Sequence, residues 1–134
     1  TRFRPDSAYV AFYRSGRCSV AGANSIEHFI EVEQCVTDVM RDLLQFDYTP
    51  ETEVSNIVAT AEVDLNLSLE LLTVHLGLES IEYEPEQFPA LLFRGSDYTI
   101  LLFSSGKVVC AGLTTCDDVA SAIDEFESQI QAVQ

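Results

Sequence analysis

The sequence has no tryptophan, one lysine among its seven basic residues, and no apolar run long enough to cross a bilayer as a helix. Such a helix takes about 18 or more consecutive apolar residues. No basic-then-apolar leader opens the chain either, so a cytoplasmic, nucleoid-associated location is expected. The four cysteines, Cys18, Cys35, Cys110 and Cys116, lack CxxC spacing and fall inside apolar strand or helix patterns. Buried or half-buried free thiols are expected there rather than a metal or a disulfide. Phosphate-loop, HExxH and GxSxG patterns are absent. His28 and His75 stand far apart in helical patterns, and the adjacent acids Asp117 and Asp118 suit a helix N-terminus better than an acid and base pair. The chain therefore reads as a non-enzyme with no cofactor and no metal.

Positive charge is scarce. Seven Lys and Arg face 22 Asp and Glu, for a net charge of −15. Neutralisation of phosphates by basic side chains normally supplies much of a protein's affinity for DNA, so bulk charge argues against nucleic acid. The distribution argues otherwise. No acid occurs from Ser7 to Ile26, and from Gln87 to Thr115 only Asp97 does. Arg14, Arg17, Arg94 and Lys107 lie in these stretches, with Arg2 and Arg4 just before the first. The acids crowd the expected helices and one loop, so one face is kept free of negative charge. A strongly acidic exterior with little lysine also suits concentrated salt, where at about 1 M the Debye length is roughly 3 Å; a halophilic source is expected.

What is plentiful is apolar surface, at 47% of 134 residues, spread along the whole length. A chain of this size can bury a real core, and one compact unit is expected. It also repeats itself. Phe3-Arg4 returns as Phe93-Arg94, Ser15-Gly16 as Ser105-Gly106 and Ala21-Gly22 as Ala111-Gly112, each ninety residues on. At the same offset Tyr13 matches Phe103 and Arg17 matches Lys107. Residues 1–50 match only the back part of the unit, a hairpin and a long helix, whereas residues 51–134 hold a whole one.

In the second copy, residues 54–62 alternate, with Ile57, Ala59 and Ala61 on one face and Asn56, Val58 and Thr60 on the other, as a half-buried strand requires. A helix is predicted over 66–76, with Asn66 as N-cap, Leu67, Leu71, Leu72 and His75 as its stripe and Gly77 as its stop. Strands follow near 81–85, 89–94, 98–104 and 107–112, the last two joined at Ser105-Gly106. A final helix over 114–133 takes Thr114 and Asp117 as a capping box and Val119, Ala122, Ile123, Phe126 and Ile130 as its apolar stripe. The first copy's helix, 24–44, carries Ile26, Phe29, Ile30, Val36, Val39, Met40 and Leu43. These elements predict an α+β fold, one antiparallel sheet backed by two long helices.

Three segments carry a family likeness. Ser55 to Glu62 (SNIVATAE), Tyr83 to Pro89 (YEPEQFP) and Leu101 to Gly112 (LLFSSGKVVCAG) together resemble the second repeat of the TATA-binding protein, and with the ninety-residue duplication the likeness covers essentially the whole chain. It implies a saddle with a pseudo-two-fold repeat, its first copy incomplete, whose curved antiparallel sheet sits on a widened minor groove. The groove floor offers a degenerate set of acceptors at A·T pairs, so a reader needs apolar contact and width sensing more than charged forks. The likeness assigns Asn56 to base acceptors, Val58, Leu101 and Val109 to base edges with Thr60 on the same DNA-binding face, and Phe88 with Phe103 to the pair that wedges into a base step. Arg94 and Lys107 fall on phosphate positions, and Arg4, Tyr13 and Arg17 on the corresponding face of the first copy. Tyr83, Glu84 and Glu86 match a loop through which the family engages transcription factor B.

The function so implied is that of a general initiation factor that binds TATA-box promoter DNA in the minor groove, bends it and recruits transcription factor B. A homodimer is a further expected assembly. Against the DNA-binding role stand departures in the first copy, where Tyr13 replaces a phenylalanine, Ala11 a leucine, Ser19 a valine and Ala21 a threonine. Ala111 replaces the same threonine in the second copy, and the turn between Arg94 and Phe103 is two residues short of the family's spacing. They leave open a divergent paralogue that has lost DNA binding and serves as a protein-interaction module, or an accessory domain of the kind the fold provides to enzymes. For Phe88 and Phe103 the competing reading is core packing, for Asn56 a satisfied turn or edge, and for Glu84 and Glu86 a merely solvated loop.

Overall fold

A computed structural model of the chain describes residues 2–3, 8–45, 47, 49–77 and 79–134. They separate into two compact units, residues 1–52 and 53–134. The single unit expected from length gives way because each part buries its own apolar cluster, one around Val10 and Val32 and one around Leu102 and Phe126.

In the first unit, β1 (Arg2–Phe3), β2 (Tyr9–Phe12) and β3 (Cys18–Ala21) form a three-stranded antiparallel sheet, followed by α1 (Ile26–Leu44). Val10 and Ala8 are buried against Val32 and Val36 of α1, with Phe12, Val20 and Met40 at the margin. Of the stripe expected on α1, Val36 is buried and Phe29 and Met40 are half-buried, while Ile26, Ile30, Val39 and Leu43 are exposed. Val32 takes their place inside. The helix begins at Ile26 because Ser25, not Asn24, is its N-cap, its hydroxyl accepting the His28 backbone N–H at 3.0 Å.

In the second unit, β4 (Ile57–Glu62), β5 (Ile81–Glu82), β6 (Ala90–Arg94), β7 (Thr99–Phe103) and β8 (Lys107–Leu113) form an antiparallel sheet in the order β4-β8-β7-β6-β5. Two helices, α2 (Leu69–Leu76) and α3 (Cys116–Val133), join it. Ile57, Ala59 and Ala61 of β4 do face the core, with Leu91, Ile100, Leu102, Val108 and Cys110 on the same side of the sheet, packed with Val119, Ala122, Phe126 and Ile130 of α3. Burying side chains of this size releases about 1.5–3 kcal/mol each relative to exposure, which makes this side the core. Phe126 anchors it, 1% exposed and with its ring 5.3 Å from that of Phe93.

Helix starts are shifted where several capping residues compete. Ser68 rather than Asn66 caps α2, so that helix buries Leu69 and Leu72 and leaves the expected Leu71 exposed. Thr115 rather than Thr114 caps α3, its hydroxyl accepting from the Asp118 N–H at 3.2 Å. Cys110 is buried and Cys35 half-buried, but Cys18 and Cys116 are exposed, against the expectation that all four would be shielded. Gly106 at the β7–β8 hairpin has φ +91°, and a Cβ there would collide with the Val63 carbonyl. No helix among the described residues is long and apolar enough to cross a membrane.

Candidate nucleic-acid interface

Strand alternation decides what the other side of the second unit's sheet presents. The β4–β8 ladder sets Thr60 opposite Val109 and Val58 opposite Ala111, and the β7–β8 ladder sets Leu101 opposite Val109 and Thr99 opposite Ala111. Phe103 stands opposite Ala90 on β6. These residues share the side away from α3, and none of them belongs to the core cluster. Val58 is 62% exposed, an unusual state for a valine in mid-strand, and Thr60 is exposed beside it. Leu101, Phe103 and Val109 are half-buried by one another's company on the sheet surface.

Phe88 approaches Phe103 from the loop before β6. Their ring centroids are 6.2 Å apart with planes at 62°, an edge-to-face contact, and Phe88 is 46% exposed. Gln87 and Phe88 both donate backbone N–H groups to the Glu84 carbonyl, at 3.0 and 2.9 Å, which folds the loop back and brings the phenylalanine to the sheet. The two rings thus form an outward aromatic pair at one end of the face. Core packing, the competing reading of these phenylalanines, does not describe where they lie.

Carboxylates keep to the margins of this surface. Glu62 ends β4 and Glu82 lies on the edge strand β5; between them the face holds valine, threonine, leucine, alanine and phenylalanine. Lys107, opposite Glu62, and Arg94 are exposed at the rim. Arg94 is not idle, since its Nε lies 3.3 Å from Glu82 Oε1, with both side chains largely in solvent. An ion pair so exposed is weak and screened by salt, so it orients the guanidinium without locking it.

Asn56 immediately precedes β4 on the same side and is exposed; its Oδ1 accepts the Gly112 N–H at 2.7 Å. Tyr83, at the base of the acidic loop, donates its hydroxyl to Glu70 Oε1 of α2 at 3.4 Å. Desolvation, followed by the Glu70 charge, raises the Tyr83 phenol above its ordinary range. The Glu70 carboxyl is held below its usual range by its own backbone N–H, then by Ser68 and Tyr83. Tyr83 therefore has a bracing contact that spacing did not reveal, while Glu84 and Glu86 stand exposed on the loop.

In the first unit, Tyr13 follows β2 and is exposed, with its hydroxyl 3.5 Å from Ser19 Oγ, and Arg17 is exposed after the Ser15-Gly16 turn. Ala11 pairs with Ser19 and Tyr9 with Ala21 on the side that corresponds to the second unit's open face. Arg4 lies outside the described residues.

A solved structure, Methanococcus jannaschii TBP, matches 99% of this chain and 80% of its own length with a TM-score of 0.84 and 32% identity. The fold is thus that of the TATA-binding protein class, an α+β antiparallel arrangement. The TATA-box-binding protein of Natronomonas pharaonis is 44% identical over 95% of this chain and 69% of its own length. TATA-box-binding protein 2 of Haloferax volcanii is 39% identical over 98% of this chain and 73% of its own. The family pattern described as transcription factor TFIID, or TATA-binding protein, matches residues 51–133. The chain belongs to the TATA-binding protein family, whose members are non-enzymatic transcription factors.

Proposed function

We propose that this chain binds the minor groove of A·T-rich promoter DNA with the open side of its β4–β8 sheet, bends the duplex and recruits transcription factor B. The observation that carries the reading is the open, apolar surface of Val58, Thr60, Leu101, Val109 and Phe103, with the carboxylates Glu62 and Glu82 only at its margins and the Phe88–Phe103 pair at one end. An aqueous sheet surface of this kind has no reason to be apolar unless something dry covers it. A minor groove fits, because its sugars and base edges accept apolar contact and its acceptors are served by Asn56 and Thr60.

Phe88 and Phe103 are the wedge. Their insertion into a base step costs a few kcal/mol of stacking, returned by the larger surface a bent duplex can touch. Lys107 and Arg94 serve phosphates, and Tyr13, Arg17 and Arg4 serve as the first unit's own DNA contacts. In the concentrated salt that the composition suits, counterion release contributes little, so the apolar share of affinity rises and seven basic residues suffice. Glu84 and Glu86 offer an acidic loop to transcription factor B, braced by Tyr83. A second copy of the chain is a further partner, since β4 ends its sheet with no strand beyond it among the described residues. A promoter-binding role places the protein with the nucleoid in the cytoplasm.

Gel shift on an A·T-rich duplex in high salt tests the reading. Retarded complex at micromolar protein that is lost with Val58→Asp supports it, and no complex under any salt condition refutes it. A second reading, a paralogue that has kept the fold for protein contacts alone, draws on the Arg94–Glu82 pair and on the polar or small residues Tyr13, Ala11, Ser19 and Ala21. Under it, Val58→Asp leaves partner capture untouched.

A further inference from the structure

The two units carry the same hairpin with different side chains on its open side. At the ninety-residue offset Tyr13 corresponds to Phe103, Ala11 to Leu101, Ser19 to Val109 and Arg17 to Lys107. The turn is the same in both: Gly16 donates its N–H to the Tyr13 carbonyl at 3.0 Å and Gly106 to that of Phe103 at 2.9 Å, each glycine with positive φ. What differs is where the aromatic ring goes. In the second unit Leu101 and Val109 pair across the sheet beside Phe103, and the phenylalanine ring meets Phe88 edge to face at 6.2 Å. In the first unit the corresponding pair is Ala11 opposite Ser19, which leaves that surface open. Tyr13 leans over it, its hydroxyl 3.5 Å from Ser19 Oγ, two residues past its own cross-strand neighbour Arg17.

Ala11, Tyr13 and Ser19 thus form one arrangement. Small side chains make room for the ring, and a hydroxyl meets its polar end. The consequence is that Tyr13 is a poor wedge. A ring inserted into a base step lies between apolar faces, and a hydroxyl taken out of water without a partner carries a desolvation cost that phenylalanine does not. Insertion would also cost Tyr13 its contact with Ser19. A tyrosine hydroxyl instead donates readily to sugar and phosphate oxygens, a contact that fixes position on a duplex without unstacking it. The setting matches that use. Arg14 and Arg17 are exposed on the same turn, and no acid occurs from Ser7 to Ile26.

We propose that the two units divide the work: the first grips the sugar-phosphate backbone through Tyr13, Arg14 and Arg17, and the second alone unstacks a base step with Phe88 and Phe103. The proposal rests on the minor-groove reading given above. Duplication by itself would imply two equivalent units, each opening a step. The side chains on the two hairpins have instead become unlike in a concerted way. One carries an apolar pair beside a phenylalanine that has an aromatic partner, and the other carries small residues under a hydroxyl-bearing ring flanked by two arginines. Each bound chain therefore opens one step, and loss of Tyr13 weakens the hold on DNA without changing what is opened.

Two measurements on the whole chain test this. Without DNA, nuclear Overhauser contacts between the Tyr13 ring and the Ser19 β protons read the lean; they are expected in the wild type, and their absence overturns the arrangement. With DNA, permanganate oxidation of unstacked thymines in a saturated A·T-rich duplex counts opened steps in high salt. Reactivity is summed per bound chain, because a duplex read in both orientations shares one step between two places. The wild type is expected to open one step and the Phe88→Ala, Phe103→Ala double variant none. Tyr13→Ala should bind about fivefold more weakly, as the loss of one hydrogen bond dictates, and still open one step. Two steps in the wild type, one of them lost in Tyr13→Ala, overturns the division of work while sparing the groove reading, and so does a Tyr13→Ala variant that binds like the wild type. A wild-type complex with no opened step overturns the proposal together with the wedge, whereas wild-type protein that binds no duplex removes the groove reading as well.

Discussion

Phe103 and Phe126 are both phenylalanines of the second unit, and truncation of each to alanine should separate the working face of the sheet from its core. Phe126 is 1% exposed, with its ring 5.3 Å from that of Phe93 and with Ile100, Leu102 and Val108 in the same cluster. Removal of a ring so enclosed costs about 3–5 kcal/mol. Phe103 is half-buried on the open side, and its aromatic partner is Phe88 in edge contact at 6.2 Å. The edge contact contributes about 0.5–1.5 kcal/mol, and partial burial adds roughly 1 kcal/mol, so Phe103→Ala should cost about 2 kcal/mol. For a domain of this size 1 kcal/mol shifts Tm by roughly 2–6 °C. Circular dichroism melts in high salt should therefore show a drop of at least about 6 °C for Phe126→Ala and distinctly less for Phe103→Ala. Anisotropy on an A·T-rich duplex at a temperature where both variants are folded should show the opposite ranking, with Phe103→Ala the more damaging. Equal thermal losses, or a Phe103→Ala variant that binds DNA like the wild type, would refute the assignment of the two sides.

Three further outcomes follow from single contacts. Thr115→Ala removes the hydroxyl that accepts the Asp118 N–H and should destabilise α3 by about 1 kcal/mol in urea titration, whereas Thr114→Ala, one residue outside the cap, should be close to neutral. Gly106→Ala and Gly16→Ala alter equivalent turns at φ +91° and +85°, but only Gly106 faces a carbonyl, that of Val63, so Gly106→Ala should be the costlier in the same titration by at least about 1 kcal/mol. Tyr98 is raised above the ordinary phenol range by burial first, then by Glu125 and Cys110. The folded state thus keeps a proton that the unfolded chain gives up near about pH 10; the associated stability is complete below that and is lost as pH climbs through the raised value. Denaturation midpoints followed upward from about pH 9 should fall less steeply in Tyr98→Phe than in the wild type.

Much of the second unit was legible because local pattern and tertiary demand agree there. The alternation of Ile57, Ala59 and Ala61 against Val58 and Thr60 survives intact, since a strand with one face on a helix has no other way to hide its apolar half. The stripe of α3 is right for the same reason. Helix starts were less readable, because Asn24-Ser25, Thr114-Thr115 and the Asn66 to Ser68 segment each offer more than one competent cap, and the choice is made by where the following turn must pack. The exposed apolar residues of α1 show the limit of periodicity: a wide apolar stripe says that something is buried, and Val32 rather than Ile30 is what the sheet of its own unit takes.

Within the candidate interface, composition and alternation located Val58, Leu101, Phe103 and Val109, and the resemblance supplied their roles. The pairings that shape the site were invisible beforehand. Asn56 with Gly112, Tyr83 with Glu70 and Arg94 with Glu82 span 56, 13 and 12 residues. Each depends on a loop, a bulge or a strand register that residue identity alone does not dictate. In the sequence Gly112 stands out only as part of a repeat, and its φ of +110° gives the physical reason for its presence.

Resonance energy transfer between dyes at the two ends of a short A·T-rich duplex, titrated with the whole chain in high salt, tests the central claim most directly. A rise in transfer that saturates with protein, and that disappears in the Phe88→Ala, Phe103→Ala double variant while Gly112 stays protected from exchange, is the predicted result. Transfer that never rises with the wild type, or that rises equally with the double variant, would contradict it.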